Sequence, residues 1–287
     1  MNLVLYFAFG SLQLRLFTIL SLGFCLLLPG CATTTDSGVV GVTRSQLMLL
    51  PAEKVDAMAV KGYDDLKANA IDKDIFDQDQ ADVDRVSMIV RKLVPETAVF
   101  RSDAPAWQWE SHVIRSSEVN AFCMPGGKII VYSGFLKKVQ PTDGELAAVL
   151  GHEISHALRE HGRERLSREA AQNGVLELLF GIDRWDAAYA GAAQQVTQLL
   201  IGLRYDRTQE TEADDMGLEL MARAGFEPQE AIALWKKMAR LGSTNTPEFL
   251  SDHPSDEHRQ ARLEKLLPKV EPLFEAAKKM ADPKTRR

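Results

Sequence analysis

His152-Glu153-Ile154-Ser155-His156 is the stretch that most constrains this chain. On an α-helix, side chains four positions apart lie one turn above each other, so the two imidazoles reach one metal ion while Glu153 is aimed at a water beside it. The pattern therefore asks for a helix that is buried behind and open to a cleft in front. Its flanks meet that demand. Thr142 with Glu145 three positions on forms a capping box, Gly162 supplies a stop, and Leu146, Leu150, Ile154 and Leu158 make an apolar face. Two histidines that merely solvate a helix face are the alternative, and the pentapeptide alone leaves it open.

A hydrolytic zinc site takes three protein ligands and keeps a position for water, whereas a structural one closes with four. The third histidine of an HExxHxxGxxH pattern is absent: Arg159 stands where its glycine belongs and Gly162 where its histidine belongs. His161 is half a helical rotation from His152 and is no candidate. The remaining ligand must come from farther along, where Arg207-Thr208-Gln209-Glu210-Thr211-Glu212-Ala213-Asp214 opens a later helix rich in carboxylates.

The N-terminus bears on compartment. Residues 1–30 hold Arg15, no acidic residue and an apolar run from Leu16 to Leu28, the pattern of a secretory signal. Leu28-Pro29-Gly30-Cys31 resembles the bacterial lipoprotein signal, in which the cysteine is lipidated and becomes the new N-terminus. A plain membrane anchor is the alternative, although Pro29 and Gly30 would break the end of a span. Ala32, rather than Asp, follows the cysteine, which by the sorting rule for such lipoproteins points to the outer membrane. Residues 31–40 are small and polar and read as a flexible lipid tether. Of the three cysteines, Cys25 would leave with the signal and Cys31 would be acylated, so Cys123 has no partner and no disulfide framework is expected. A net charge of -6, with no basic block outside Lys284-Thr285-Arg286-Arg287, argues against nucleic acid as a partner.

Periodicity indicates an α+β fold, mainly α, with one domain over residues 41–270 and a C-terminal helix and basic tail over 271–287. Val55, Met58, Tyr63 and Leu66 mark a first helix after Pro51, and Val83 to Leu93 a second that ends before Pro95. Period-two segments at Trp107–Val113, Val119–Met124 and Lys128–Tyr132 predict a sheet of about three strands. A short helix over 134–139 precedes the histidine helix, and longer ones are expected over 163–180 and 187–203. Asn120-Ala121-Phe122 reads either as part of an ordinary hairpin with a Pro-Gly-Gly turn or as a strand along the cleft that pairs with an extended substrate. Asp252-His253-Pro254 reads as a loop at a helix start. His112 and His258 read as surface or packing residues.

HEISH followed by Glu210-Thr211-Glu212-Ala213-Asp214 as ExxAD resembles the gluzincin peptidase family of the heat-shock protease HtpX, the prenyl-protein (CAAX) endopeptidases and bacterial periplasmic quality-control proteases. Within it the likeness is to β-barrel assembly-enhancing proteases and single-domain outer-membrane lipoproteins. The resemblance implies a zincin-type domain with one Zn²⁺ held by His152, His156 and Glu210, and Glu153 as general base. Asp214 would hold a ligand histidine from behind, and Asn120, Ala121 and Phe122 would form the substrate strand. It turns His253 and Arg259 toward the metal, with His253 as an oxyanion stabiliser or an inhibitory fourth ligand. The implied function is a zinc metalloendopeptidase on the periplasmic side of the outer membrane of a Gram-negative bacterium, anchored through lipid on Cys31. Its implied partners are unfolded or misassembled envelope polypeptides and the β-barrel assembly machinery. The chain departs from its likenesses in having neither helical repeats after Glu271 nor the spans of the membrane-embedded members. An assembly factor or holdase with a latent or structural zinc is the rival from another class, and a zinc cell-wall amidase a weaker one.

Overall fold

In the computed structural model, which describes residues 31–173, 205–242, 248–253 and 257–281, helices surround a small three-stranded sheet. Strands β1 (Cys31–Ala32) and β2 (Gln46–Leu47) pair antiparallel near the N-terminus. Helices α1 (Ala52–Asp72) and α2 (Gln80–Leu93) lead through short 3-10 turns to strands β3 (Glu110–Ile114), β4 (Ala121–Met124) and β5 (Lys128–Tyr132). There follow α3 (Ser133–Val139), α4 (Asp143–Leu158), α5 (His161–Asn173), α6 (Arg207–Arg223), α7 (Gln229–Gly242), α8 (Glu248–Asp252) and α9 (Glu257–Ala281). Among the described residues no helix is long and apolar enough to cross a membrane. The signal at 1–30, the end of the helix expected over 163–180, the helix expected over 187–203, Pro254 and the basic tail lie outside the described residues.

The helices start and stop for local reasons. Asp79 accepts from the backbone N–H groups of Ala81 and Asp82 to open α2, which gives way after Leu93 where Pro95 cannot donate. Thr142 and Glu145 form the expected capping box on α4. Leu146, Leu150, Ile154 and Leu158 are fully buried, but so is nearly every other residue of α4, because α6, α7, α2 and β4 all pack on it. The helix stop differs from expectation. Arg159 caps α4, Glu160 turns the chain at φ 52°, and Gly162 falls in the first turn of α5. That tight turn swings His161 back against α4.

The sheet order is β3-β5-β4, with β3 parallel and β4 antiparallel to β5, so β4 is an edge strand. Ala121 and Cys123 face the main core with Ile129 and Val131, whereas Phe122 and Met124 face a second cluster beneath α1 with Ile130, Val55 and Tyr63. Gly126 and Gly127 turn the hairpin at φ 79° and 82°, and a Cβ on Gly127 would stand 2.7 Å from the Trp109 ring. β3 begins only at Glu110, because the 3-10 turn Ala104–Ala106 leaves Trp107 and Trp109 stacked at 5.6 Å outside the ladder.

Two boundaries are corrected. The segment read as a flexible tether is bound to the domain, since two fully buried charged side chains need partners that it supplies. Arg159 donates to Thr33 Oγ1 (2.9 Å) and to the Arg44 carbonyl, while Glu219 accepts from the backbone N–H of Val39 (2.8 Å) and Val40 (3.2 Å). At the other end α9 runs unbroken to Ala281 with Val270 and Phe274 buried, so no unit begins at residue 271.

Candidate metal centre

α4 and α6 cross at glycines. A Cβ on Gly217 would lie 2.8 Å from the His152 backbone nitrogen, and one on Gly151 3.0 Å from the Gly217 carbonyl oxygen. Only hydrogen fits at that contact, and it lets the start of α6 bring Glu210 to the histidines of α4. α8 delivers His253 from a fourth direction. The ligating atoms of His152, His156, Glu210 and His253 lie within 4.8 Å of one another, and all four side chains are buried. His152 Nε2 is 3.0 Å from His156 Nε2 and 3.1 Å from His253 Nδ1. Glu210 Oε1 is 2.9 Å from His253 Nδ1 and 3.5 Å from His156 Nε2, and Glu210 Oε2 is 3.6 Å from His152 Nε2.

Donor chemistry decides what this cluster can hold. His152 Nδ1 stands 2.9 Å from Asp214 Oδ1, and Asp214, forked by Arg259 at 2.6 and 2.7 Å, can only accept. His152 Nδ1 therefore donates, and its Nε2 offers a lone pair to two imidazoles and a carboxylate. Glu210 Oε2 accepts no well-directed hydrogen bond, although the Arg259 guanidinium lies 2.9 Å away. Lone pairs packed this closely repel unless a cation lies among them. A tetrahedral zinc with bonds of about 2.0–2.1 Å spaces its ligand atoms by about 3.3 Å, within the range seen here. The residues present fit a zinc ion.

The electrostatics agree. Burial lowers the His152 and His156 pKa values and keeps both rings neutral, the form that ligates. Burial also opposes charge on Glu210, but His253, His156 and His152 outweigh it and hold the carboxyl well below its usual range. His253 is the opposite case: burial would lower it, yet Glu210 and Glu153 hold it up at about 9. A point that favours a proton so strongly favours a metal dication too.

Around the cluster, Glu153 is buried with Oε1 3.5 Å from His253 Nε2. Phe249 stacks on His253 at 4.6 Å and Tyr205 on His156 at 3.9 Å. Arg259, expected to face the metal, forks Asp214 and also reaches Glu210 and the His253 carbonyl, over the Trp235 ring at 3.8 Å. It braces the site. Asn120, Ala121 and Phe122 lead into the edge strand β4, which packs on α4, with the Asn120 side chain accepting from the Ala121 N–H. Burial first and the Glu153 charge second push the Cys123 thiol up, a measure of how near that strand is. A cavity of about 430 Å³ runs from His156 and Tyr205 past Cys123 and Gly126 to Trp107 and Arg163. His112 packs against Phe76 and bonds Asp77, away from the cluster, and His258 is exposed.

A sequence profile of peptidase family M48 matches residues 80–267, a span that contains both motif halves, His253 and Arg259. The chain belongs to peptidase family M48. The mitochondrial metalloendopeptidase OMA1 of Saccharomyces cerevisiae is 35% identical over 65% of this chain and 55% of its own length. OMA1 of Arabidopsis thaliana is 34% identical over 54% of this chain and 31% of its own, and the metalloprotease LoiP of Escherichia coli 31% over 51% and 58%. The chain thus spans about half the length, or less, of these relatives.

Three features of this site are not implied by the paired motif. His161, set aside as a ligand, contacts one: its Nδ1 is 2.8 Å from His156 Nδ1. Glu212, two positions from Glu210 and so on the other side of α6, bonds the far nitrogen of His161 at 3.0 Å. The Gly151 and Gly217 pair was a legible signal only to a reader who already knew that the two helices cross.

Proposed function

We propose that the chain is a zinc-dependent metalloendopeptidase that works on the periplasmic side of the outer membrane and cleaves unfolded or misassembled envelope proteins. The observation that carries the chemistry is the convergence of His152, His156 and Glu210 with the Glu153 carboxylate buried beside them. Zinc held there supplies Lewis acidity, polarising a peptide carbonyl and bringing the pKa of water to about 7. Glu153 takes the proton of the attacking water and returns it to the departing amine. Edge strand β4 suits an extended polypeptide, which would pair with it by backbone hydrogen bonds. Support for the compartment comes from the Leu28-Pro29-Gly30-Cys31 signal, and support for the substrate class from the resemblance to envelope quality-control proteases.

His253 favours a second reading of the same site. With Nδ1 among the ligand atoms, its ring fills the fourth direction that a hydrolytic site keeps for water. In an enzyme this is a latent state; in an assembly factor or holdase it is a permanently closed metal site. Zinc analysis and cleavage of an unfolded outer-membrane protein by wild type, Glu153→Gln and His253→Ala separate the two. We expect zinc in all three, release of activity in His253→Ala, and, when Glu153→Gln is added to His253→Ala, a loss of about 10²–10⁴-fold. Zinc-loaded His253→Ala that stays silent favours the holdase, and undiminished cleavage by His253→Ala carrying Glu153→Gln removes the mechanism.

A further inference from the structure

His152 is braced by Asp214, as the motif implies; nothing in the motif braces His156. We propose that His161, Glu212 and Arg44 form a relay that positions the His156 imidazole, so that the N-terminal strap of residues 33–47 is a working part of the metal site. The relay rests on the metal-site reading above and adds positioning residues to it.

Each link has one direction. Glu212 accepts from Arg44 Nε and Nη2, both at 2.9 Å, and from Arg159 at 3.3 and 3.4 Å. Ringed by these cations, it is an acceptor only, so His161 Nε2 donates to it at 3.0 Å. His161 is fully buried, and its remaining nitrogen, Nδ1, presents a lone pair to His156 Nδ1 at 2.8 Å. His156 Nδ1 must then donate, which leaves its Nε2 as a lone pair aimed into the cluster. One carboxylate thereby sets the tautomer of a ligand two rings away. A hydrogen-bond partner behind a ligating histidine fixes its orientation and raises its basicity.

The far end of the relay is the strap. Arg44 also spans to Glu164 at 2.5 and 2.8 Å, and Glu164 is held by Gln46 (3.1 Å) and Gln209 (3.0 Å). Gln46 and Thr34 in turn donate to the Arg159 carbonyl at 2.7 and 3.1 Å. From Arg44, the strap that follows the lipoprotein-like cysteine thus reaches the ligand His156 through two side chains, Glu212 and His161.

The test is zinc affinity of the full chain by chelator competition, with the visible spectrum of the cobalt-substituted protein and circular dichroism to establish folding. His161→Phe keeps the shape but neither bond, and zinc binding should weaken by about 10–100-fold. His161→Asn restores an acceptor at the Nδ1 position and should recover part of that loss. Arg44→Met, at a partly exposed side chain remote from the ion, should shift affinity less but in the same direction, even if His161→Phe does not fold. Folded His161→Phe and Arg44→Met with wild-type affinity and an unchanged cobalt spectrum overturn the relay alone. A wild-type chain that binds no zinc overturns the metal-site reading and the relay with it.

Discussion

The two imidazoles of α4 are held from behind in different ways. His152 rests on Asp214 directly, and a single arginine, Arg259, clamps that carboxylate. His156 rests on another imidazole, His161, whose carboxylate Glu212 is clamped by Arg44 and Arg159. Both carboxylates come from α6, yet one wall is built from the motif and α9, the other from the α4–α5 turn and the chain's N-terminal strap. A short brace is stiff and vulnerable, since each member has few substitutes. A long one shares its charges among many partners and ties the site to a distant segment.

That difference predicts unequal damage. Asp214→Ala leaves the buried Arg259 without its fork and His152 without an acceptor, and should destabilise the fold by about 3–5 kcal/mol. Glu212→Ala should destabilise it less, because Arg44 keeps Glu164, and Arg159 keeps Thr33 and the Arg44 carbonyl. Denaturant unfolding of the two variants decides the matter; equal losses would break the asymmetry.

A change at the crossing should injure both walls together. The methyl of Gly217→Ala would meet the His152 backbone nitrogen at 2.8 Å, where no side chain can rotate away. Overpacking of this kind costs about 1–3 kcal/mol, and since α6 carries Glu210, Glu212 and Asp214, its displacement should also weaken zinc binding. Unfolding midpoints and chelator competition report both effects. Wild-type values for Gly217→Ala would show that the walls are independent of the contact between the helices.

The same asymmetry separates what was legible in the sequence from what was not. The capping box, the apolar positions of α4 and the HEISH spacing are local, and they stand in the structure as residues 142–158 alone predict. Glu210 and Asp214 arrive from another helix, and only a paired motif could announce them. His161 stands half a helical rotation from His152, so helix spacing keeps it from the ion, and only the tight α4–α5 turn, which spacing does not reveal, brings it to a ligand. The strap was misread because Thr33, Thr35 and Gly38 have the composition of a linker, whereas their partners Arg159 and Glu219 reveal their need only once they are seen to be buried. Glycines 151 and 217 look like weak points in helices and are instead what allows the helices to touch.

The smallest expected effect probes the long wall through pH. Burial opposes charge on Glu212 and Glu164, but His161, Arg44 and Arg159 hold Glu212, and Arg44, Gln46 and Gln209 hold Glu164, each at about 2 against an ordinary 4.5. A carboxyl whose pKa is depressed by folding stabilises the fold fully above its unfolded value, and that stabilisation is lost as pH falls toward the folded one. Between pH 7 and pH 4 each group should therefore give up roughly 1 kcal/mol, with the rest going between pH 4 and pH 2. In Arg44→Gln the remaining cations are Arg159 beside Glu212 and Arg168 beside Glu164, so both pKa values rise and less is left to lose. Unfolding free energies at pH 4 and pH 2.5 for wild type and Arg44→Gln, a window in which the folded-state values decide the loss, give the difference directly. A smaller acid loss in the variant places Arg44 at the head of the wall behind His156; an identical loss would mean that Arg159 and Arg168 hold the two carboxylates without Arg44, and the long brace would then begin at the α4–α5 turn.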